Sequence, residues 1–127
     1  MGDRSQVAIK QHDGSKVYLY GHWIGADIYK TVAEGLRAFP MRTPDSEYLA
    51  RIIFSRMVVS DLMGETGFGI STSAHQDIEH VIPVLDCAKG LVEWEQPAWD
   101  HNQRELPQPV SFKTFCAEAE AGKYNEL

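Results

Sequence analysis

The sequence predicts an α+β domain: a five-stranded antiparallel sheet with two helices inserted between its second and third strands, then a C-terminal arm and short helix. Three observations predict it. Val7 and Ile9 alternate with polar neighbours, as do Val17 and Leu19, on either side of an Asp13-Gly14 turn. Apolar residues then recur at helical spacing in two successive segments, Ile28 to Phe39 and Leu49 to Met57. Short apolar runs follow at 81–86 and 91–95, each preceded by polar or glycine-bearing turns. Residues 1–95 form the sheet and helices, and residues 96–127 form the arm and last helix, within the same domain or at an oligomer interface.

Each element has its own warrant. Gln6–Lys10 and Lys16–Tyr20 are the arms of a hairpin whose Asp-Gly centre accepts positive φ. Along the second strand, Tyr18, Tyr20 and His22 share the face opposite Val17 and Leu19. Gly21-His22-Trp23-Ile24-Gly25 redirects the chain into helix one, Ala26 to Phe39, which Pro40 stops. Helix two opens at Thr43-Pro44-Asp45, with a hydroxyl cap, a proline in the first turn and acids near the positive end of the dipole. Gly64 to Ser73 is strand three, where three glycines let something approach the backbone closely. Val81–Asp86 is strand four, with Pro83 implying an edge or a bulge, and Leu91–Glu95 is strand five. The last helix is capped by Ser111 and ended by Gly122.

Composition narrows function. A chain of 127 residues makes one domain that buries about two-thirds of its unfolded surface without staples. Its net charge of −6 argues against bulk polynucleotide binding. Residues 30–60 run the other way, with Lys30, Arg37, Arg42, Arg51 and Arg56 against Glu34, Asp45 and Glu47. Residues 93–127 are strongly acidic. Cys87 and Cys116 lack the spacing of a metal or redox motif, so both read as buried thiols in a reducing, cytoplasmic setting. No apolar run is long enough to span a membrane, and no leader is recognisable.

The search for chemistry finds no metal set among the five histidines, no nucleophile elbow, no phosphate loop and no dinucleotide fingerprint. No cofactor is called for. His75 with Asp77 and Glu79 is the arrangement that could act as an acid–base set. Arg56 falls on the apolar arc of Leu49, Ile52, Ile53 and Met57, where a guanidinium must pair, snorkel, or enter a polar pocket. Its partner is then an acid such as Asp61 or Asp86, or a ligand phosphate. Arg51 reads as an exposed pair with Glu47 unless an interface covers it. A phosphate on Arg56 would lie near Phe68 and the hydroxyls of Ser71, Thr72 and Ser73, with His22 and Trp23 closing the far side. Arg51 and Arg4 complete the candidate set.

Met1-Gly2-Asp3-Arg4, Val17 to Trp23, Tyr48 to Ile53 and Glu65 to Ile70 resemble segments of small phage and prophage proteins. The order of elements over residues 1–95 resembles the phage anti-Thoeris sponges of the first type. That resemblance implies an antiparallel sheet with two inserted helices and a homo-oligomer, dimer or larger up to a hexamer, in the host cytoplasm. It also implies non-enzymatic sequestration of cyclic nucleotide signals: cyclic ADP-ribose isomers, or cyclic di- or trinucleotides held at subunit interfaces. Two other classes remain open: a small hydrolase or lyase acting on such a nucleotide through His75 or His22, and a protein–protein interaction module. Independently of the resemblance, the proline-bearing arm with Trp94 and Trp99 predicts homo-oligomerisation.

Overall fold

The computed structural model describes residues 2–98 and 105–127. Trp99 and the polar run from 100 to 104, on which part of the oligomer expectation rests, lie outside the described residues. The element order is β1 (Ser5–Lys10), β2 (Lys16–Gly21), α1 (Asp27–Ala38), a 3-10 turn (Pro40–Arg42), α2 (Ser46–Val58), β3 (Phe68–Ser71), β4 (Ile82–Asp86), β5 (Leu91–Glu95), β6 (Val110–Ser111) and α3 (Phe112–Glu120). The fold is α+β, with three α-helices and an open mixed sheet of six strands among the described residues.

The sheet runs β3-β2-β1-β4-β5-β6. Two expectations are corrected here. There are six strands rather than five, and the sheet is not all antiparallel, because β1 and β4 pair in parallel from Ala8↔Val84 to Lys10↔Asp86. The cause is a crossover. β3 adds to the outer edge of β2, so the chain must pass back across β2 and β1 to place β4 on the free side of β1. Residues 72–81 make that passage over the face opposite the helices, and Ile78, 3% exposed, anchors it against Ala8, Tyr18, Ile82 and Val84. Pro83 consequently sits in an interior strand, not at an edge. It lies one residue before the β1 ladder begins, which spares that ladder a missing donor.

The hairpin forms as expected from its turn. Gly14 adopts φ +88, and Asp13 accepts from the Ser15 amide at 2.9 Å and its hydroxyl at 2.6 Å. Helix two starts later than expected: Thr43 Oγ1 donates to the Pro40 carbonyl within the 3-10 turn, and Asp45 takes the N-cap position while its carboxylate meets Arg42 at 3.2 Å. Strand three is shorter than Gly64–Ser73, being confined to Phe68–Ser71. Gly67 turns the chain at φ +103 just before it.

The main core lies between the helices and the sheet. Val7, Ile9 and Leu19 from the sheet meet Ile28, Val32, Leu36, Leu49, Ile53 and Met57 from the helices. α1 and α2 approach closely because Gly35 has no side chain: a Cβ there would stand 2.6 Å from Ile53 Cγ1. α3 closes the core's other end. Phe115, Tyr124, Tyr29 and Trp94 form one aromatic cluster, with centroid separations from 4.8 Å for Trp94–Tyr124 to 6.2 Å for Tyr29–Trp94. Ser111 caps α3 by accepting from the Thr114 amide at 3.1 Å, and Gly122 follows the helix at φ +79. Cys87 and Cys116 are buried free thiols. Burial, with Asp86 and Asp45 adding negative charge, pushes Cys87 up to about 11.

Candidate functional site

The sheet separates the expected site residues into two groups. Directly paired strand residues share a face, so Phe68, opposite Gly21, and Ile70, opposite Leu19, lie on the helix side. Gly69, opposite Tyr20, and Ser71, opposite Tyr18, lie on the other side. A single ligand cannot lie beside Phe68 within the helix layer and also meet Ser71 through the sheet.

On the helix side, a groove of ≈ 350 Å³ runs between α2 and β3, lined by Arg51, Phe54, Ser55, Val58, Asp61, Leu62, Gly64, Thr66 and Phe68. Its α2 wall follows from spacing: residues 51, 54, 55 and 58 stand at i, i+3, i+4 and i+7 and share one helical face. That face is distinct from the one packed on α1. Arg51 is exposed, and its Nη1 donates to Ser55 Oγ across a long 3.5 Å rather than pairing with Glu47. The half-buried ring of Phe68 packs partly on the core and partly against the groove. One guanidinium, one carboxylate (Asp61), two phenyl rings and the hydroxyls of Ser55 and Thr66 therefore border one open space. The guanidinium and rings suit an aromatic molecule whose anionic group lies at the Arg51 end, away from Asp61.

Arg56 is not among the groove residues. It stands on the exposed side of α2, its Nη1 3.8 Å from Glu34 Oε2 of α1, with 45% of its side chain exposed. Its place beside the apolar arc is resolved at the surface, where the guanidinium reaches water next to the Glu34 carboxylate. The partner is Glu34 rather than Asp61 or Asp86.

On the opposite side, His22, Arg4 and the 72–77 loop surround Tyr20. The Tyr20 hydroxyl lies 2.8 Å from His22 Nδ1, and its ring stacks on His75 with centroids 5.0 Å apart. Burial raises the Tyr20 phenol, and nearby Arg4 works against that rise. Arg4 pairs with Glu79 at 3.2 Å, and Glu79 in turn donates its amide to the Arg4 carbonyl at 3.0 Å. His75 Nδ1 accepts the Asp77 amide at 3.2 Å, so the backbone of Asp77, not its carboxylate, orients this imidazole. Ser71 Oγ donates to the Ser73 carbonyl at 2.7 Å, which turns both residues in on their own loop; Thr72 between them is exposed. Trp23, 62% exposed, rests edge-on to His22 at 4.5 Å and against Gly67, where a Cβ would come within 3.0 Å of its ring.

The structure thus brings Arg51 and Phe68 together, groups Arg4 and His22 behind the sheet, and leaves Arg56 with α1. Phe54, Ser55 and Thr66 are groove residues that the sequence reading omitted. The signal for the first two was a second stripe on helix two, Arg51-Phe54-Ser55-Val58, beside the more apolar arc. Among the described residues no group of three or more His, Cys, Asp and Glu is placed to hold a metal ion, and no helix is long and apolar enough to cross a membrane. Comparison with protein-family models, with curated proteins and with solved structures finds no match for this chain.

Proposed function

We propose that this chain binds a small cyclic nucleotide, of the cyclic ADP-ribose or cyclic oligonucleotide class, and sequesters it intact. The observation that carries the reading is Arg51 and Phe68 bordering one groove. In this reading the Arg51 fork holds a phosphate and Phe68, with Phe54, stacks on a base; Ser55 and Thr66 offer hydroxyls to ribose or phosphate oxygens. The groove volume falls in the lower part of the roughly 300–1,000 Å³ range of small-molecule sites. Net negative charge elsewhere disfavours polymeric nucleic acid while leaving a local cation for a small anion.

Two measurements test this. Isothermal titration against cyclic ADP-ribose isomers and cyclic dinucleotides should show saturable binding by at least one of them. Protein denatured after incubation should then release that compound unchanged. Release of a cleaved product would instead support the hydrolase or lyase reading, and no heat with any member of the class would sink the proposal.

A further inference from the structure

The sheet has two edges, and the chain treats them differently. At one edge β6 is two residues long, is preceded by Pro107 and Pro109, and runs directly into α3. A short strand flanked by prolines and a helix is a blocked edge. At the other edge, β3 carries no such guard among the described residues. From Thr66 to Ala74 there is neither a proline nor a charged residue. Ile70 is 62% exposed there, and a Cβ on Gly69 would meet no atom within 4 Å. Nearby, the segment joining α2 to β3 exposes Val59, Leu62 and Met63, of which Met63 is 91% exposed.

We infer that the free edge of β3 is an interface between two copies of this chain, joined antiparallel about a twofold axis into one continuous sheet. An antiparallel edge is complementary to itself, so one unguarded strand suffices for both partners. Charge selects the same occupant. Two chains of net charge −6 repel over most of their surfaces, and the uncharged stretch from Thr66 to Ala74 is where they meet without opposing like charges. An axis perpendicular to the sheet keeps both helix layers on one side. The two α2–β3 grooves then flank the seam on the same side of the joined sheet. The pairing itself does not depend on what the groove binds.

The experiment is mass measurement by light scattering and sedimentation velocity on ligand-free protein across micromolar concentrations. The parent is expected at twice its 14.3 kDa chain mass. Ile70→Lys and Ser71→Lys place a charge at the seam from opposite faces of an exposed strand, and each is expected to be a folded monomer by circular dichroism. A parent that stays monomeric throughout overturns the inference, as does dimer mass retained by either folded variant. If Ile70→Lys fails to fold, Ser71→Lys decides alone. A monomer that still binds nucleotide removes this interface and leaves the groove reading standing; a dimer that binds none does the reverse.

Discussion

Arg51 and Arg56 lie five positions apart on one helix, yet the physics of their surroundings differs. Arg56 has an acid within reach and water around it, so its contribution to stability is that of a surface pair, about 0–1 kcal/mol. Arg51 has a weak hydroxyl contact and an open groove in front of it. Replacing either residue by alanine should leave the fold intact, since neither guanidinium is buried. Arg51→Ala should weaken nucleotide binding roughly ten- to hundredfold, the loss of one charge-assisted hydrogen bond of about 1.5–3 kcal/mol. Arg56→Ala should bind within a factor of about two of the parent, because its pair lies outside the groove. Titration calorimetry on the two variants side by side decides between them; equal losses, or a loss confined to Arg56→Ala, would return the site to the α1 side of the helix.

At the scale of elements, the crossover from β3 to β4 is held to the sheet by few apolar side chains: Ile78 and Val81 are buried, and Ala74 packs partly on the same cluster as Ile78. Ile78 is its buried anchor, and Tyr18 and Val84 receive it. Ile78→Ala should cost about 2–5 kcal/mol in urea denaturation, the range for truncating a buried isoleucine. Amide exchange should rise first in residues 72–80, because the rest of the loop is held mainly by polar contacts such as the His75 amide to Gln6 at 2.9 Å. A cost under about 0.5 kcal/mol would show that the loop packs independently of that side chain. The same element shows what sequence could and could not yield. The hairpin, both inserted helices and the α3 cap follow from local signals: alternation, apolar spacing, an Asp-Gly turn and a serine. The parallel β1–β4 pair does not, since it depends on where β3 docks, and a lone isoleucine in a polar loop announces no crossover. The candidate groove was legible in part, since Arg51 and Phe68 both stand among the residues singled out in the sequence, but not in which of Arg51 and Arg56 borders it. That choice turns on which side of α2 faces β3, a long-range packing fact.

For the molecule as a whole, alkaline pH tests how tightly both layers are closed. Burial chiefly, with the Glu95 hydrogen bond and charge, pushes the Tyr18 phenol from its ordinary 10.0 to about 12. Tyr124, beneath α3, is raised as well, by burial and by its 2.6 Å bond to Glu118. Cys87 is raised from 9.0 to about 11. Each raised value means that the folded state keeps a proton that the unfolded chain gives up sooner. The unfolded state therefore binds fewer protons above pH 9, and stability must fall as pH rises. The stabilisation is fully present below the unfolded values and is lost between about pH 9 and 11 for Cys87 and between about pH 10 and 12 for Tyr18. Each group adds a slope of up to about 1.4 kcal/mol per pH unit inside its window. Urea midpoints measured under reducing conditions should hold steady from pH 8 to about 9 and then decline. Cys87→Ala should flatten the first part of that decline and Tyr18→Phe the second, each by one group's share. Because Cys87 belongs to the helix-side core and Tyr18 to the cluster under the crossover, the two variants report on opposite faces of the sheet. A Tyr18→Phe curve parallel to the parent's above pH 10 would mean that the crossover opens to water well before the main core does.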